Sequence, residues 1–560
     1  MAQITKINYI FAQIIFFLYF CSLFYRHKTN PIFMRHIFCF IVFFCAITQS
    51  AMSQTIVTIE DTENWTNTEL QPYIGKTITF ATPMYVTNNY NNSLTISPRR
   101  IFTPTNQAYP MSAEYNQLIT LNNKGTITLT GVSEYHRIGE RMLNLTVKVN
   151  STSSVALQSC TWSGNSRKDL EHGYDTELVN MLGEASIIVC CMNLEYYLVE
   201  NISNSNGSMG PNTQAEHQKQ RTKVSNALAK INADLYGFVE IEQGQSALAE
   251  IASDLTKNTG RNFTYINDGG SPNGTYTKAG FVYCTDLLEP YGKLRENNTG
   301  VSERKKTQAF IENATGEKFL FSVNHFKAKS GNGSGDNADK GDGQGSYNGD
   351  RVKEAKSLLE NYHKDCVFFN DSDILIMGDL NAYAMEDPIT TLRNGGMIDL
   401  HRAFHADSSY SYVYRGQTGY LDHALCNSTL YPQVTGMVGY HINSDESDQY
   451  TYDKSNDQTM FRCSDHDPVI VGLRLDSTRT HHPDVSINSY QVYYQGSTPV
   501  ISNAQGGYYI IYRVDGSVVR QSNIHTNEEY VHGLAQGLYI INIYGQGKCL
   551  QTKIIVPKSL

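Results

Sequence analysis

Much of what this chain is not follows from what it lacks. It has no Cys-x-x-Cys pair, and its 11 cysteines show no regular spacing. That argues against a zinc site and against a dense disulfide framework. It also has no positive surplus: 45 Lys and Arg stand against 54 Asp and Glu, a formal charge of −9. A protein that grips nucleic acid by charge alone needs many basic groups on phosphates, so that class is excluded. An enzyme that meets a phosphate briefly through a metal ion is not. Tryptophan is scarce, with 2 residues against 37 Tyr. This Tyr-, Asn-, Ser-, Thr- and Gly-rich texture points to much β-structure. The 560 residues are too many for one hydrophobic core and suggest about three or four domains.

Residues 1–53 read as a targeting segment. Apolar runs at 9–25 and 37–47 flank the polar, basic stretch 26–30. Met34-Arg35-His36 before the second run, and Ala51-Met52-Ser53 before Gln54, have the layout of a secretory signal. Export is therefore expected, with Met34 as the start. A membrane anchor formed by the first run is the alternative, since about 17 apolar residues just span a bilayer. Cys21, Cys39 and Cys45 fall in this segment, and Cys190-Cys191 lie in an apolar run read as a buried strand.

Residues 54–155 show short apolar segments at 77–80, 94–96, 118–121, 126–129 and 143–149, punctuated by Gly, Asn and Pro. The pattern predicts a small β-barrel or sandwich, OB-like in its spacing, with a plain β-rich spacer as the alternative. Residues 156–185 read as a connector with one short helix. From there strands at 186–193, 235–239, 319–325 and 373–378 alternate with helical spacing at 216–232, 246–256 and 350–362. A further helix starts at Asp387-Pro388. The expectation is an α/β domain over 186–476. Its stretch 330–349, rich in Gly, Asp, Asn and Ser and without EF-hand spacing, is expected to be a mobile loop. Residues 483–560 are β-rich again, with an Asp515-Gly516 hairpin turn, and predict a small β-sandwich.

Within the α/β domain, five blocks place amides, carboxylates or imidazoles at the ends of apolar strands, where open sheets build their sites. They are Cys191-Met192-Asn193, Phe238-Val239-Glu240, Val323-Asn324-His325, Gly378-Asp379-Leu380-Asn381, and the pair Asp422-His423 with Ser464-Asp465-His466-Asp467-Pro468. Singly, each has a plain explanation as a turn former or a solvated charge. Together and in this order they resemble the endonuclease/exonuclease/phosphatase (DNase I-like) superfamily, most closely its large extracellular nucleases, over residues 186–475. The runs 378–382 and 464–468 are the most specific part of that resemblance.

The resemblance implies an α+β, four-layer sandwich of two mostly antiparallel sheets flanked by helices, not the parallel sheet that alternation alone suggests. It also implies roles. Glu240 is the main metal ligand, with Asn193 and Asp465 close to it. His466 is the candidate base, oriented by Asp422; Asp379 positions the attacking water and Asn381 the phosphate. His325 contacts the phosphate or protonates the leaving group, and which histidine is base and which acid stays open. Breaking a phosphodiester needs a cation for the transition-state charge, a base for water and help for the departing oxygen. Oxygen donors of this kind suit Mg²⁺ or Mn²⁺, with Ca²⁺ a further candidate. His423, Asp467 and Glu242 read as supports for these residues. Lys327 and Lys329 are candidates to meet backbone phosphates, a solvated strand end being the alternative.

About the last 75 residues resemble the type IX secretion C-terminal sorting domain, a hairpin-rich β unit. That implies the outer-membrane secretion machinery as partner, and a secreted or surface-attached, monomeric protein. The leading expectation is hydrolysis of extracellular DNA, with RNA left open as a further substrate. A phospholipid or inositol-phosphate phosphodiesterase is the alternative. The third reading, a surface-binding protein with a dead catalytic domain, is disfavoured because no metal carboxylate and neither half of the Asp–His pair is missing.

Overall fold

The computed structural model describes residues 55–90, 93–173, 178–202, 210–270, 277–296, 304–405, 408–475, 491–495, 498–502, 504–513, 518–526, 528–545 and 548–556. The targeting segment, Met34, the cleavage site and the Asp515-Gly516 turn lie outside these residues. Among the described residues no helix is long and apolar enough to cross a membrane.

The N-terminal strands Met84–Tyr90, Ser93–Ser97, Ile127–Thr130, Ser154–Ser163 and Arg141–Val149 pair in that order, and the last closes on the first. The result is a five-stranded barrel. Alternation turns Val86, Leu94, Ile96, Leu129 and Val147 into its core. Two sequence expectations change here. Residues 118–121 are not a strand but part of the helix Ala113–Lys124, whose cap Ser112 accepts the Tyr115 N–H. A short apolar run does not by itself distinguish the two states. Residues 156–163, expected as connector, complete the barrel, and the helices Arg167–Gly173 and Val179–Met181 follow.

The central domain has two six-stranded sheets. One runs Phe263–Tyr265, Thr277–Cys284, Leu235–Glu242, Ile187–Tyr197, Val469–Leu473, Val434–Gly439. The other runs Leu288–Glu296, Lys305–Glu312, Lys318–Asn324, Ile374–Asp379, Asp422–Cys426, Ile398–Asp399. Each is antiparallel except for one central parallel pair. The inner faces share one apolar core, in which Val189, Val239 and Phe281 of the first sheet meet Phe321, Val323 and Met377 of the second. Helices Gln214–Ile231 and Ser246–Thr259 cover the outer face of the first sheet, and Asn348–Phe369 with Asp387–Asn394 that of the second. Alternation of strand and helix in the sequence thus reports outer helices, while the strand order reports antiparallel hairpins.

The stretch expected to be a mobile loop is tied down. Gln344 receives the Asp387 N–H and donates to the Asp387 carboxylate, and the buried Arg351 donates to the carbonyls of Gln344 and Ser346. The barrel also docks on the central domain. Arg100 pairs with Asp445 at 3.0 Å, Arg137 with Glu446, and Thr418 exchanges backbone hydrogen bonds with Ile101 and Thr103.

The C-terminal region forms a three-stranded sheet, Gln491–Gln495, Thr498–Ser502 and Glu528–Tyr530. A four-stranded sheet follows: Val518–Asn523, Tyr508–Arg513, Gly537–Gly545, Lys548–Val556. Ile501 of the first shares a core with Ile511, Ile541 and Ile554 of the second.

Candidate active site

Five strand ends of the central domain open at the same mouth. Asn193 sits late in Ile187–Tyr197, opposite Val239 of the parallel neighbour. Glu240 follows at φ 57°, a left-handed conformation uncommon outside glycine. Its consequence is visible in packing: Val239 enters the inter-sheet core, whereas Ile241 enters the outer core. The kink breaks the alternation and re-aims the Glu240 side chain, as a bulge does. Such a backbone costs about 1–3 kcal/mol and survives only where its surroundings enforce it.

On the second sheet, Gly378 at φ 132° lets its strand lie against Asn324, whose carbonyl oxygen would be 1.9 Å from any Cβ placed there. Asp379 is thereby brought directly opposite Asp422 on the adjacent strand. Facing carboxylates repel unless other groups take up their charge. Here Asp379 accepts the Asn381 N–H at 2.8 Å and the Asn193 amide at 3.2 Å. Asp422 receives the Ser411 hydroxyl at 2.7 Å and lies 2.7 Å from Nδ1 of His466. His466 Nε2 points into the mouth, 3.9 Å from both Asp379 and Asp465. His325 Nε2 enters from the other side, 3.6 Å from Glu240 and 3.7 Å from Asp379.

This crowd of charges sets the proton positions. Burial pushes Glu240 up to about 7, with Asp465 and Asp379 adding to the shift. Burial likewise raises Asp379 to about 6, against the pull of His466. Burial opposes a charge on His466, yet Asp422, Asp465 and Asp379 together hold its pKa well above the ordinary imidazole value. Burial, with Arg304 and His466 behind it, drives His325 well below that value. The two imidazoles are thus pushed in opposite directions, the kind of separation that equips a site for both proton donation and acceptance.

Two overlapping sets of ligand atoms lie within 4.8 Å of one another, Glu240–His325–Asp379 and Asp379–Asp422–His466. Carboxylate and amide oxygens dominate the mouth, the donor chemistry of Mg²⁺, Mn²⁺ or Ca²⁺. Those oxygens, gathered with the His325 and His466 imidazoles in so small a space, fit a divalent ion. Residues 201–466 match the Endonuclease/Exonuclease/phosphatase family.

The match supports that superfamily for the central domain. Its members are hydrolases of phosphate esters that use divalent metals. Similar solved structures include an endonuclease/exonuclease/phosphatase from Bacteroides vulgatus, 14% identical with a TM-score of 0.34, over 52% of this chain and 99% of that one. A mannosyl-6-phosphatase from Bacteroides thetaiotaomicron is 15% identical with a TM-score of 0.33, over 52% and 100%. The human Nocturnin catalytic domain with bound sulfate is 13% identical with a TM-score of 0.34, over 51% and 93%. None of the curated proteins matches the chain.

Of the residues expected at the endonuclease/exonuclease/phosphatase site, Asn193, Glu240, His325, Asp379, Asn381, Asp422, Asp465 and His466 all gather at this mouth. Asn381 is held at φ 48° and spends its amide on the Phe326 carbonyl. Lys327 stays at the rim, its ammonium 4.6 Å over the Tyr347 ring. Lys329 does not fit its expected part in phosphate contact. It is paired with Glu386 and donates to the Gln344 carbonyl, so its charge is already answered inside the fold. Glu242, Asp467 and His423 all bond to backbone groups within the fold. Glu242 collects the N–H groups of Val199, Glu200 and Asn201, and Asp467 those of Asn443 and Ser444. His423 bonds the Ala382 carbonyl.

Sequence reasoning missed Glu195, Ser411, Tyr412, Arg304 and Arg462. Burial and Asp465 push Glu195 up to about 8, while Arg462 opposes the shift. No strand-face rule could have found it, because Glu195 and Tyr196 sit at φ 48° and 57° where the strand bulges and alternation breaks. Ser411 and Tyr412, whose ring lies 4.6 Å from that of His466, come from a hairpin with no local signature of chemistry.

Proposed function

We propose that the chain is a secreted, divalent-metal-dependent phosphodiesterase that hydrolyses extracellular DNA. The observation carrying this reading is the Asp422–His466 hydrogen bond of 2.7 Å, with His466 Nε2 facing the same space as Asp379, Asp465 and Glu240. Glu240, Asn193 and Asp465 would hold the ion, which supplies positive charge to the phosphate oxygens. Asp422 fixes the tautomer and direction of His466, which moves the proton of the attacking water. Asp379, steadied by Asn193 and Asn381, orients that water. His325 stands on the opposite wall, within reach of the phosphate or the departing oxygen. Glu195 and Arg462 line the same mouth.

Export by the N-terminal segment, sorting through the C-terminal β region by the type IX machinery, an OB-like role for the barrel and a monomeric state complete the proposal. Purified protein should degrade plasmid DNA in Mg²⁺ or Mn²⁺ and stop in EDTA. Turnover of sphingomyelin or a phosphoinositide with DNA and RNA untouched would overturn the substrate assignment. Removal of residues 483–560 should leave the protein inside the cell.

A further inference from the structure

We infer that Tyr414 is a stacking subsite for the nucleobase one step from the scissile phosphate, a reading that rests on nucleic acid as the substrate. Tyr414 lies on a hairpin formed by Tyr412–Tyr414 and Gln417–Gly419. Its turn is two residues long, with Arg415 at φ 51° and Gly416 at φ 78°. Both central residues with positive φ make the tight type I′ turn, whose twist matches that of the strands it joins.

Tyr412 and Tyr414 share one face of the hairpin, because side chains repeat every second residue. The Tyr412 ring sits 4.6 Å from His466. Tyr414 is therefore displaced outward along the strand by roughly 6.6 Å, at about 3.3 Å per residue. That distance is close to one nucleotide of an extended single strand. Tyr414 is 53% exposed, and the Arg415 guanidinium lies 5.2 Å from its ring centroid. An exposed ring carrying a guanidinium presents both elements of a sequence-tolerant single-strand platform, a π-face and a positive charge.

The hairpin is also rigid, which a stacking surface needs if binding is not to be spent on ordering it. The barrel holds it along one edge. Thr418 N–H donates to the Ile101 carbonyl at 2.8 Å, and Thr103 N–H donates to the Thr418 carbonyl at 2.8 Å. At the turn, Gly416 lies so close to Asn88 and the Thr87 carbonyl that a Cβ would be 3.0 and 3.1 Å from them. A domain without catalytic residues thus sets the position of a ring beside the catalytic mouth.

The test is steady-state kinetics of the full chain on two oligonucleotides. One is ordinary single-stranded DNA; the other replaces nucleosides with dideoxyribose spacers, keeping the phosphates and removing the bases. Tyr414→Ala should raise KM for DNA about 5- to 150-fold, the range that base–aromatic stacking supports, with kcat little changed. On the spacer strand the penalty should shrink below about twofold, and Tyr414→Trp should restore the DNA value. An equal penalty on both strands would mean that the ring is structural and would overturn the inference. So would a Tyr414→Ala enzyme that matches wild type on DNA, which would leave the nuclease reading intact. Wild-type protein that cleaves neither DNA nor RNA would overturn both.

Discussion

Two clusters of acids, both largely withdrawn from solvent, behave in opposite ways in this protein. At the seam between barrel and central domain, Asp445 and Glu446 are buried among arginines: Arg100 and Arg137 on the first, Arg137 and Arg167 on the second. Burial pushes Asp445 up, but Arg100 and Arg137 more than offset it and hold the carboxyl below its ordinary value. At the mouth of the central domain, Glu240, Asp379 and Glu195 are as crowded, and burial, with Asp465 beside Glu240 and Glu195 and Asp422 beside Asp379, pushes them to about 7, 6 and 8. The seam is a finished set of ion pairs. The mouth has acids in excess of its cations, which is the state of a site built to receive charge.

Glu240→Gln tests that contrast most severely. Removing a site acid should lower activity by about 10²- to 10⁴-fold, the range typical of groups acting directly in proton transfer and charge stabilisation. The melting temperature of the metal-free protein should hold or rise, because the Glu240 carboxylate is held against the charges of Asp465 and Asp379. A fall in both would mean that Glu240 is paired after all.

Arg137→Ala is the mirror experiment. Breaking a buried pair while leaving the acid in place costs about 3–5 kcal/mol, so urea denaturation should shift by that amount. An unchanged transition would show that the seam does not hold the domains.

The pH dependence should separate the two clusters as well. Glu240 has a folded pKa of about 7 against an ordinary 4.5, so the folded state binds the extra proton between those values. Stability of metal-free protein should fall as pH rises from about 4.5 to about 7, more steeply than in Glu240→Gln. Asp445 is depressed below 3.8, so its contribution is present above that pH and is lost as pH falls through the lower folded value. Saturating Mn²⁺ should remove the first trend and leave the second. Thermal melts at several pH values, with and without the ion, check this.

The smallest effect is expected at Ser411, which touches Asp422 and not the reacting groups. Ser411→Ala should lower kcat by about tenfold with KM nearly constant, and Ser411→Thr should recover most of it. A change confined to KM would place Ser411 elsewhere in the cycle.

Much of the central domain was legible in the sequence because its strands are continuous apolar runs and its helices keep a 3.6-residue spacing. The strand-end residues Asn193, Glu240, His325 and Asp379 were legible as polar groups closing apolar strands, but their roles came only from the family that the order of the blocks resembles. Misreadings fell where local pattern is ambiguous. Residues 118–121 offer a short apolar run that a cap at Ser112 commits to helix. Lys329 looks like a free cation in a line of text, and only the approach of Glu386, 57 residues away, shows that it is spent.

Which residue types close each strand is written in the chain alone, because periodicity and chain order are local properties. Tertiary structure decided which charges are answered. Arg137 meets Glu446 across 309 residues, and Asp422 meets His466 across 44. Electrostatic compensation depends on distance in space, to which sequence separation is no guide, so the same carboxylate reads alike in the chain whether it ends as a strut or as part of a catalytic mouth.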